Sequence, residues 1–96
     1  MIEKKKRDLK NLTLEEFEEL CILAEDEIKK YIYSKVPKKE VNQLEIMVEL
    51  GSEETTNLTI EINLEIKSLS EQENKMLVEE ALRVAMKAID GRLLGL

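Results

Sequence analysis

Residues 43–66, QLEIMVELGSEETTNLTIEINLEI, decide the fold of this chain. Apolar residues occupy every second position on both sides of a polar segment at 51–57, and this alternation is typical of half-buried strands. The two runs are therefore expected to form an antiparallel hairpin with one apolar and one polar face. Like charges directly opposite each other destabilise a sheet, and placing Leu50 opposite Leu58 prevents any two glutamates of the hairpin from facing one another. We predict that register.

A first helix is predicted before the hairpin. Thr13 and Glu16 have the spacing of a capping box, in which each side chain accepts a hydrogen bond from the backbone of the other residue. The apolar residues between 17 and 32 then recur with the 3.6-residue period of a helix that buries one face. Pro37 disfavours a helical backbone at the preceding residue, so the helix should end near Ser34 or Lys35.

A second helix is predicted after the hairpin. Ser70 and Glu73 form another capping box, the following residues are apolar over a broad arc, and Gly91 is the expected stop. The order of elements is therefore α-β-β-α, which predicts an α+β fold in which an antiparallel hairpin carries two helices on one face. We assign a single domain to residues 12–96 and a basic N-terminal extension to residues 1–11.

The predicted hairpin is too narrow for its two helices. Neighbouring strands lie about 5 Å apart, whereas packed helices need about 8–10 Å between their axes. An isolated hairpin also leaves two sheet edges open. We therefore expect that dimerisation extends the sheet or covers the helices, and that the chain is a homo-oligomer. The apolar residues expected at the interface are Ile22, Leu93, Leu94 and Leu96.

Composition excludes several classes of protein. The chain has 96 residues, one cysteine and a formal net charge of -6. No apolar run approaches the roughly 20 residues of a membrane span, and a single cysteine allows no intramolecular disulfide. These features predict a cytoplasmic protein with no membrane contact. Glutamate and lysine greatly outnumber aspartate and arginine, a balance that resembles proteins of heat-loving organisms.

The sequence offers no set of residues for catalysis. It contains no histidine, which removes the usual general base and the commonest metal ligand. Cys21 falls on the apolar stripe of the first helix, where a structural thiol is expected. The spacing of Gly91 and Gly95 matches no phosphate-binding loop. We therefore expect a protein that is not an enzyme, with no catalytic residue, metal or cofactor.

One basic cluster, the lysine–tyrosine patch, is a candidate binding site. An exposed tyrosine among lysines would stack an RNA base while the ammonium groups bind phosphates. Alternatively, the lysines complement the helix dipole and the tyrosine packs on neighbouring chain, which the acidic body of the protein favours. Nucleic acid is thus a possible but not a favoured partner. The patch comprises Lys29, Lys30, Tyr33, Lys35, Lys38 and Lys39.

Two further segments, LEEFEEL at 14–20 and YIYSKVPKKE at 31–40, together with the hairpin, resemble a small archaeal family of uncharacterised α-β-β-α proteins. Members of that family are often encoded beside the beta subunit of the chaperone prefoldin. The resemblance implies the fold, an archaeal source and a possible link to protein quality control. We therefore expect a non-enzymatic protein-interaction or assembly module, and the alternative is an RNA-binding accessory protein.

Overall fold

The computed structural model describes residues 2–9, 12–52 and 56–94. The fold is α+β: a three-stranded antiparallel sheet with strand order β1-β3-β2 packs one face against two helices. The elements in chain order are β1 (Ile2–Leu9), α1 (Leu14–Lys35), a 3-10 turn (Lys38–Glu40), β2 (Val41–Ser52), β3 (Thr56–Ile66) and α2 (Glu71–Leu94).

Strand β1 was not anticipated, because it lies within the segment assigned as a basic extension. It pairs with β3 from Ile2 opposite Asn63 to Leu9 opposite Thr56. Its five central residues, 4–8, are all charged and exposed, so the apolar alternation that marks β2 and β3 is absent. The sheet therefore has three strands and is wider than the predicted two-stranded hairpin. The narrowness of that hairpin was one reason for expecting a second copy of the chain.

The hairpin has the predicted register. Leu50 lies opposite Leu58, and Ile46 lies opposite Ile62. The ladder is interrupted at Asn42 by a bulge, after which β2 pairs continuously with β3. The helix-facing side chains of β3 form the centre of the core and are buried, namely Leu58, Ile60, Ile62, Leu64 and Ile66.

Helix α1 begins and ends as predicted. The Thr13 hydroxyl accepts from the Glu16 amide at 3.1 Å, and the Glu16 carboxylate accepts from the Thr13 amide at 3.0 Å. The hydrogen bond from the Thr13 backbone amide, followed by one from the Thr13 side chain, holds the pKa of Glu16 below its ordinary value, because both favour the ionised carboxyl. The helix ends at Lys35, two residues before Pro37. Its buried stripe is Leu20, Ala24, Ile28 and Ile32.

Helix α2 starts with the predicted capping box, but its predicted end is wrong. Ser70 and Glu73 exchange hydrogen bonds of 3.1 Å. The helix continues through Gly91 to Leu94. Glycine within a helix costs only about 1 kcal/mol, and tertiary contacts beyond it favour continuation: Arg92 donates to Glu19 at 2.8 Å, and Leu93 packs against the core.

A buried asparagine fixes the connection between β3 and α2. Asn74 is 8% exposed, and its side-chain amide donates to the carbonyl oxygens of Ile66 and Ser70, each at 3.2 Å. Since buried polar groups are costly without partners, these bonds give the connection one defined geometry and fix the position of α2 over the sheet.

Candidate interaction surface

The outer edge of β2 is the most distinctive surface of the molecule. Within the described residues no strand pairs with this edge. The helix-facing side chains of β2 lie beside the buried row of β3, yet Leu50 is 42% exposed. The others are only partly buried, so the apolar face expected of the hairpin is incompletely covered on this strand. These residues, Leu44, Ile46, Val48 and Leu50, are called the β2 apolar row below.

The reason for this exposure lies in where the helices pack. Helix α2 contacts β3 and β1, and α1 packs closely against α2 while contacting β2 at few positions. The helical layer therefore covers the middle of the sheet better than its β2 edge. Side-chain alternation identifies which face of a strand is apolar, but it carries no information about how completely another element covers that face.

The opposite face of the sheet changes charge from one edge to the other. On β2 this outer face presents Glu45, Met47 and Glu49, all exposed. Across the sheet, Met47 lies opposite Glu61, and Glu61 lies opposite Lys4 of β1. The β2 side of this face is therefore acidic and the β1 side is basic.

The edge formed by β1 is protected by charge on both faces. Lys4 and Lys6 lie on the outer face, and Lys5 and Arg7 lie on the helix-facing side. Arg7 also forms an ion pair with Asp90 of α2, with 3.0 Å between its Nε atom and a carboxylate oxygen. Charged residues, lysine above all, oppose the pairing of an edge with another strand. The two edges of this sheet are therefore chemically different.

The lysine–tyrosine patch is more neutral than its sequence suggests. Lys29 donates to Glu25 at 2.6 Å, and Lys30 lies 4.0 Å from Glu27. The hydrogen bond to Glu25, and then the charge of that carboxylate, raise the pKa of Lys29. Each acid precedes its lysine by about one helical turn. The i,i+4 and i,i+3 spacings in the sequence were the signal that could have revealed this pairing.

The tyrosine of the patch is not an open platform. Tyr33 is half-buried and packs against the edge of the core. The ammonium of Lys38 lies 5.5 Å from the centre of its ring, and Lys35 lies 5.5 Å from the ring of Tyr31. Both distances suit cation–π contact. Two of the patch lysines are therefore engaged with rings of the same chain, while Lys39 is exposed in the 3-10 turn.

The patch and the basic β1 strand do not form one surface. The 3-10 turn of the patch leads into Val41, which lies opposite Ile66 at one end of β3. Lys4, in contrast, lies opposite Glu61, and β1 and β2 are on opposite edges of the sheet. A nucleic acid would have to cross the acidic outer face or the helices to contact both.

The residues expected at the interface differ in how exposed they are. Ile22 is 62% exposed on α1, and Leu94 is 90% exposed at the end of α2. Leu93 packs partly against the core, so part of its surface is used within the chain. Leu96 lies outside the described residues.

The single thiol of the sequence belongs to Cys21 in α1. Cys21 is partly buried, and its burial, followed by the charges of Glu18 and Glu25, raises the pKa of the thiol. A raised pKa keeps the thiol protonated and weakens it as a nucleophile. Among residues 2–9, 12–52 and 56–94, no three acidic, cysteine or histidine side chains are grouped to bind a metal ion. Neither described helix is long and apolar enough to cross a membrane.

These features define a small two-layer α+β protein in which one sheet edge is charged on both faces and the other has an apolar, partly exposed helix-facing row. A family model described as a protein of unknown function, DUF3194, matches residues 9–92, and the chain belongs to this family. The matched region starts at the last residue of β1. Both helices, β2 and β3 thus lie within it almost completely.

Two relatives of the chain are archaeal proteins described as uncharacterised. The chain is 31% identical over 85 residues to a Pyrococcus furiosus protein, covering 88% of this chain and 77% of that one. It is 26% identical over 85 residues to a Thermococcus kodakarensis protein, covering 88% and 79%. These matches confirm the resemblance to an uncharacterised family with archaeal members and add no activity.

Two solved structures share the fold. A crystal structure from Thermococcus onnurineus superposes with a TM-score of 0.84 at 26% identity, covering 99% of this chain and 94% of that one. The solution structure of the hypothetical protein mth677 from Methanothermobacter thermautotrophicus gives a TM-score of 0.71 at 23% identity, covering 93% and 97%. The first match covers almost the whole chain, so it includes the part that lies N-terminal to the family match.

Proposed function

We propose that the chain is a cytoplasmic, non-enzymatic protein-interaction or assembly module that binds a protein strand at the free edge of β2. The observation that carries this proposal is the β2 apolar row, which faces the core side of the sheet and is nevertheless partly exposed. An added strand pairs its backbone with the open edge, and its side chains cover the exposed part of that row.

The contrast between the two edges supports this site. Natural proteins protect open edges with charged residues, bulges or proline, because an exposed apolar edge pairs readily with other chains. The edge of β1 has such protection. On β2 the bulge at Asn42 precedes the segment 43–49, which contains no lysine, arginine or proline. Glu45 and Glu49 charge only the outer face of this segment, so its helix-facing apolar row lacks such protection and is consistent with a surface that a partner normally covers.

A role in protein quality control is the more specific form of the proposal. It is supported only by the gene neighbourhood that the family resemblance implies, next to a subunit of prefoldin. A module that binds strands at its sheet edge suits protein quality control, since unpaired strands and exposed apolar surface characterise incompletely folded chains.

The test compares the proteins that matched variants recover from a lysate. The tagged protein and its Ile46→Lys and Met47→Lys variants are used to isolate partners from an archaeal lysate treated with nuclease. We expect specific proteins to remain bound to the wild type and to Met47→Lys and to be lost from Ile46→Lys, because only Ile46 belongs to the β2 apolar row. Equal recovery by all three proteins would reject the β2 edge as the binding site.

The alternative function is RNA binding, and the exposed cations of β1 and of the 3-10 turn are the observation that favours it. Binding would then weaken steeply with salt, since each neutralised phosphate releases counterions. Tyr33→Ala would cost about 1–3 kcal/mol if a base stacks there. We expect no binding to single-stranded RNA tighter than about 10 μM at physiological salt. Submicromolar binding would favour the alternative if its salt dependence were reduced by a quadruple alanine variant of Lys29, Lys35, Lys38 and Lys39.

A further inference from the structure

We infer that the strand bound at the β2 edge is β2 of a second copy, paired antiparallel about a two-fold axis beside Ile46 or Val48. This inference rests on the proposed function, since it names the partner of the same surface. It joins two three-stranded sheets into one sheet of six strands, with all four helices on one side.

Symmetry restricts how two identical edges can pair. An antiparallel pair of identical strands in one sheet is related by a two-fold axis perpendicular to that sheet. A single residue then lies opposite its own copy, and residues on either side pair in mirrored order. Because directly opposite side chains point to the same face, helix-facing residues pair only with helix-facing residues. The axis therefore lies beside either an outer-face residue or a residue of the β2 apolar row.

Charge disfavours an axis beside Glu45, Met47 or Glu49. An axis beside Met47 would place Glu45 directly opposite the partner's Glu49. An axis beside either glutamate would place that residue opposite its own copy. Like charges directly opposite each other destabilise a sheet, so none of these three arrangements is favourable.

The positions within the β2 apolar row avoid this repulsion. With the axis beside Ile46, Glu45 lies opposite the partner's Met47, and Leu44 lies opposite the partner's Val48. With the axis beside Val48, Ile46 lies opposite the partner's Leu50, and Met47 lies opposite the partner's Glu49. In either register the partly exposed apolar side chains of the two copies form one continuous row, which removes apolar surface from water.

The charged residues of β1 favour a closed dimer over an open chain of molecules. A head-to-tail assembly would pair β2 with the partner's β1. On the outer face this would bring Lys4 and Lys6 near the acidic side of β2, but exposed ion pairs contribute only about 0–1 kcal/mol. On the helix-facing side it would place Lys5 or Arg7 against residues such as Ile46, where a charge beside an apolar row loses hydration. A two-fold pair of β2 strands instead leaves the protected β1 edges at the two ends of the sheet, so association stops at two copies.

Sedimentation of matched variants tests the second copy as partner. We expect the wild type to be a dimer at micromolar concentration and Ile46→Lys to weaken association by at least about tenfold, since edge lysines oppose pairing. Met47→Lys should stay dimeric, because in both allowed registers that lysine would face a glutamate of the partner. Far-UV circular dichroism checks that each variant is folded. A monomeric wild type, or dimers equally stable in both variants, overturns the inference.

Disulfide trapping tests the axis independently of any lysine. In a Cys21→Ser background, single cysteines are introduced by Ile46→Cys, Val48→Cys and Met47→Cys, and the proteins are oxidised at micromolar concentration. We expect a covalent dimer from Ile46→Cys or Val48→Cys, because opposite residues at the axis have the spacing that a disulfide needs. Met47→Cys is more exposed and would react faster in random collisions. Preferential cross-linking of Met47→Cys therefore overturns the inference.

The two levels of the proposal fail differently. If the wild type is monomeric but lysate proteins bind it and are lost from Ile46→Lys, the second copy is rejected and the β2 edge is retained. If a dimer forms with the expected cross-links but no other protein depends on Ile46, the partner assignment holds and the wider interaction role is rejected.

Discussion

The two edge strands of the sheet pair with the same central strand but differ in almost every other respect. Strand β1 has eight residues, and its central segment is charged and exposed on both faces. Strand β2 has twelve residues and an apolar row that the helices cover only in part. From this contrast we infer that charge on β1 directs association to β2.

The central strand β3 shows what the same sequence pattern does when the helices cover it fully. β3 and β2 have the same alternation in the sequence, yet Ile62 is fully buried and Ile46, directly opposite, is partly exposed. The difference arises from the position of each strand under the helical layer and not from residue type. Position in the sheet therefore decides whether an isoleucine stabilises the fold or is accessible to a partner.

The largest effect is expected at the centre of the sheet. Ile62→Asp should unfold the chain or destabilise it by several kcal/mol, since it places an unpaired carboxylate among apolar side chains. Thermal melting followed by circular dichroism measures the loss.

Glu61→Lys is the control on the other face of the same strand. Because it faces Lys4 across the pair, it should cost no more than about 1 kcal/mol. Similar losses in melting temperature for the two variants would contradict the assignment of helix-facing and outer rows on which the comparison depends.

A double substitution removes the difference between the edges. Lys5→Ile combined with Arg7→Val gives β1 an apolar helix-facing row like that of β2. Both edges are then open to pairing, and we expect particles larger than those of the unchanged chain in sedimentation or light scattering. Lys4→Thr combined with Lys6→Thr removes the same charge from the outer face and should change particle size much less. Equal sizes for the two double variants would show that charge alone, and not the helix-facing row, protects β1.

The sequence predicted the parts of the fold that rest on periodicity and capping. Both capping boxes, the end of α1 and the hairpin register follow from local patterns, and the structure confirms them. Strand β1 could not be predicted in this way, because its pairing depends on backbone hydrogen bonds to β3 and on few apolar side chains. The end of α2 was missed for a related reason: contacts with α1 and the core carry the helix past Gly91.

The candidate surface was only partly accessible from the sequence. An open strand edge was expected, but the residues chosen for the interface were exposed apolar side chains on the helices, such as Ile22. The partial burial of Ile46 is a tertiary property, since it depends on how α1 and α2 share the width of a sheet whose third strand was unknown. The pairing of Lys29 with Glu25 was visible in the spacing of the two residues and was overlooked.

The smallest expected effect concerns what holds β1 in place. The ion pair between Arg7 and Asp90 links β1 to α2, and both side chains are about half exposed, 49% and 43%. Exposed pairs of this kind contribute about 0–1 kcal/mol. Asp90→Asn keeps the shape of the side chain and removes its charge, so the melting temperature should hardly change.

Hydrogen exchange of individual amides gives the sharper measurement of the same variant. A weakening of about 1 kcal/mol confined to β1 would speed exchange of its amides roughly fivefold, while those of β2 and its pairing with β3 would keep their protection. Arg83→Gln breaks another exposed ion pair, one formed within α2 with Glu80, and should leave the β1 amides unchanged. If Asp90→Asn instead accelerates exchange in β2 as much as in β1, the two edges open together, and the sheet edges are not independent.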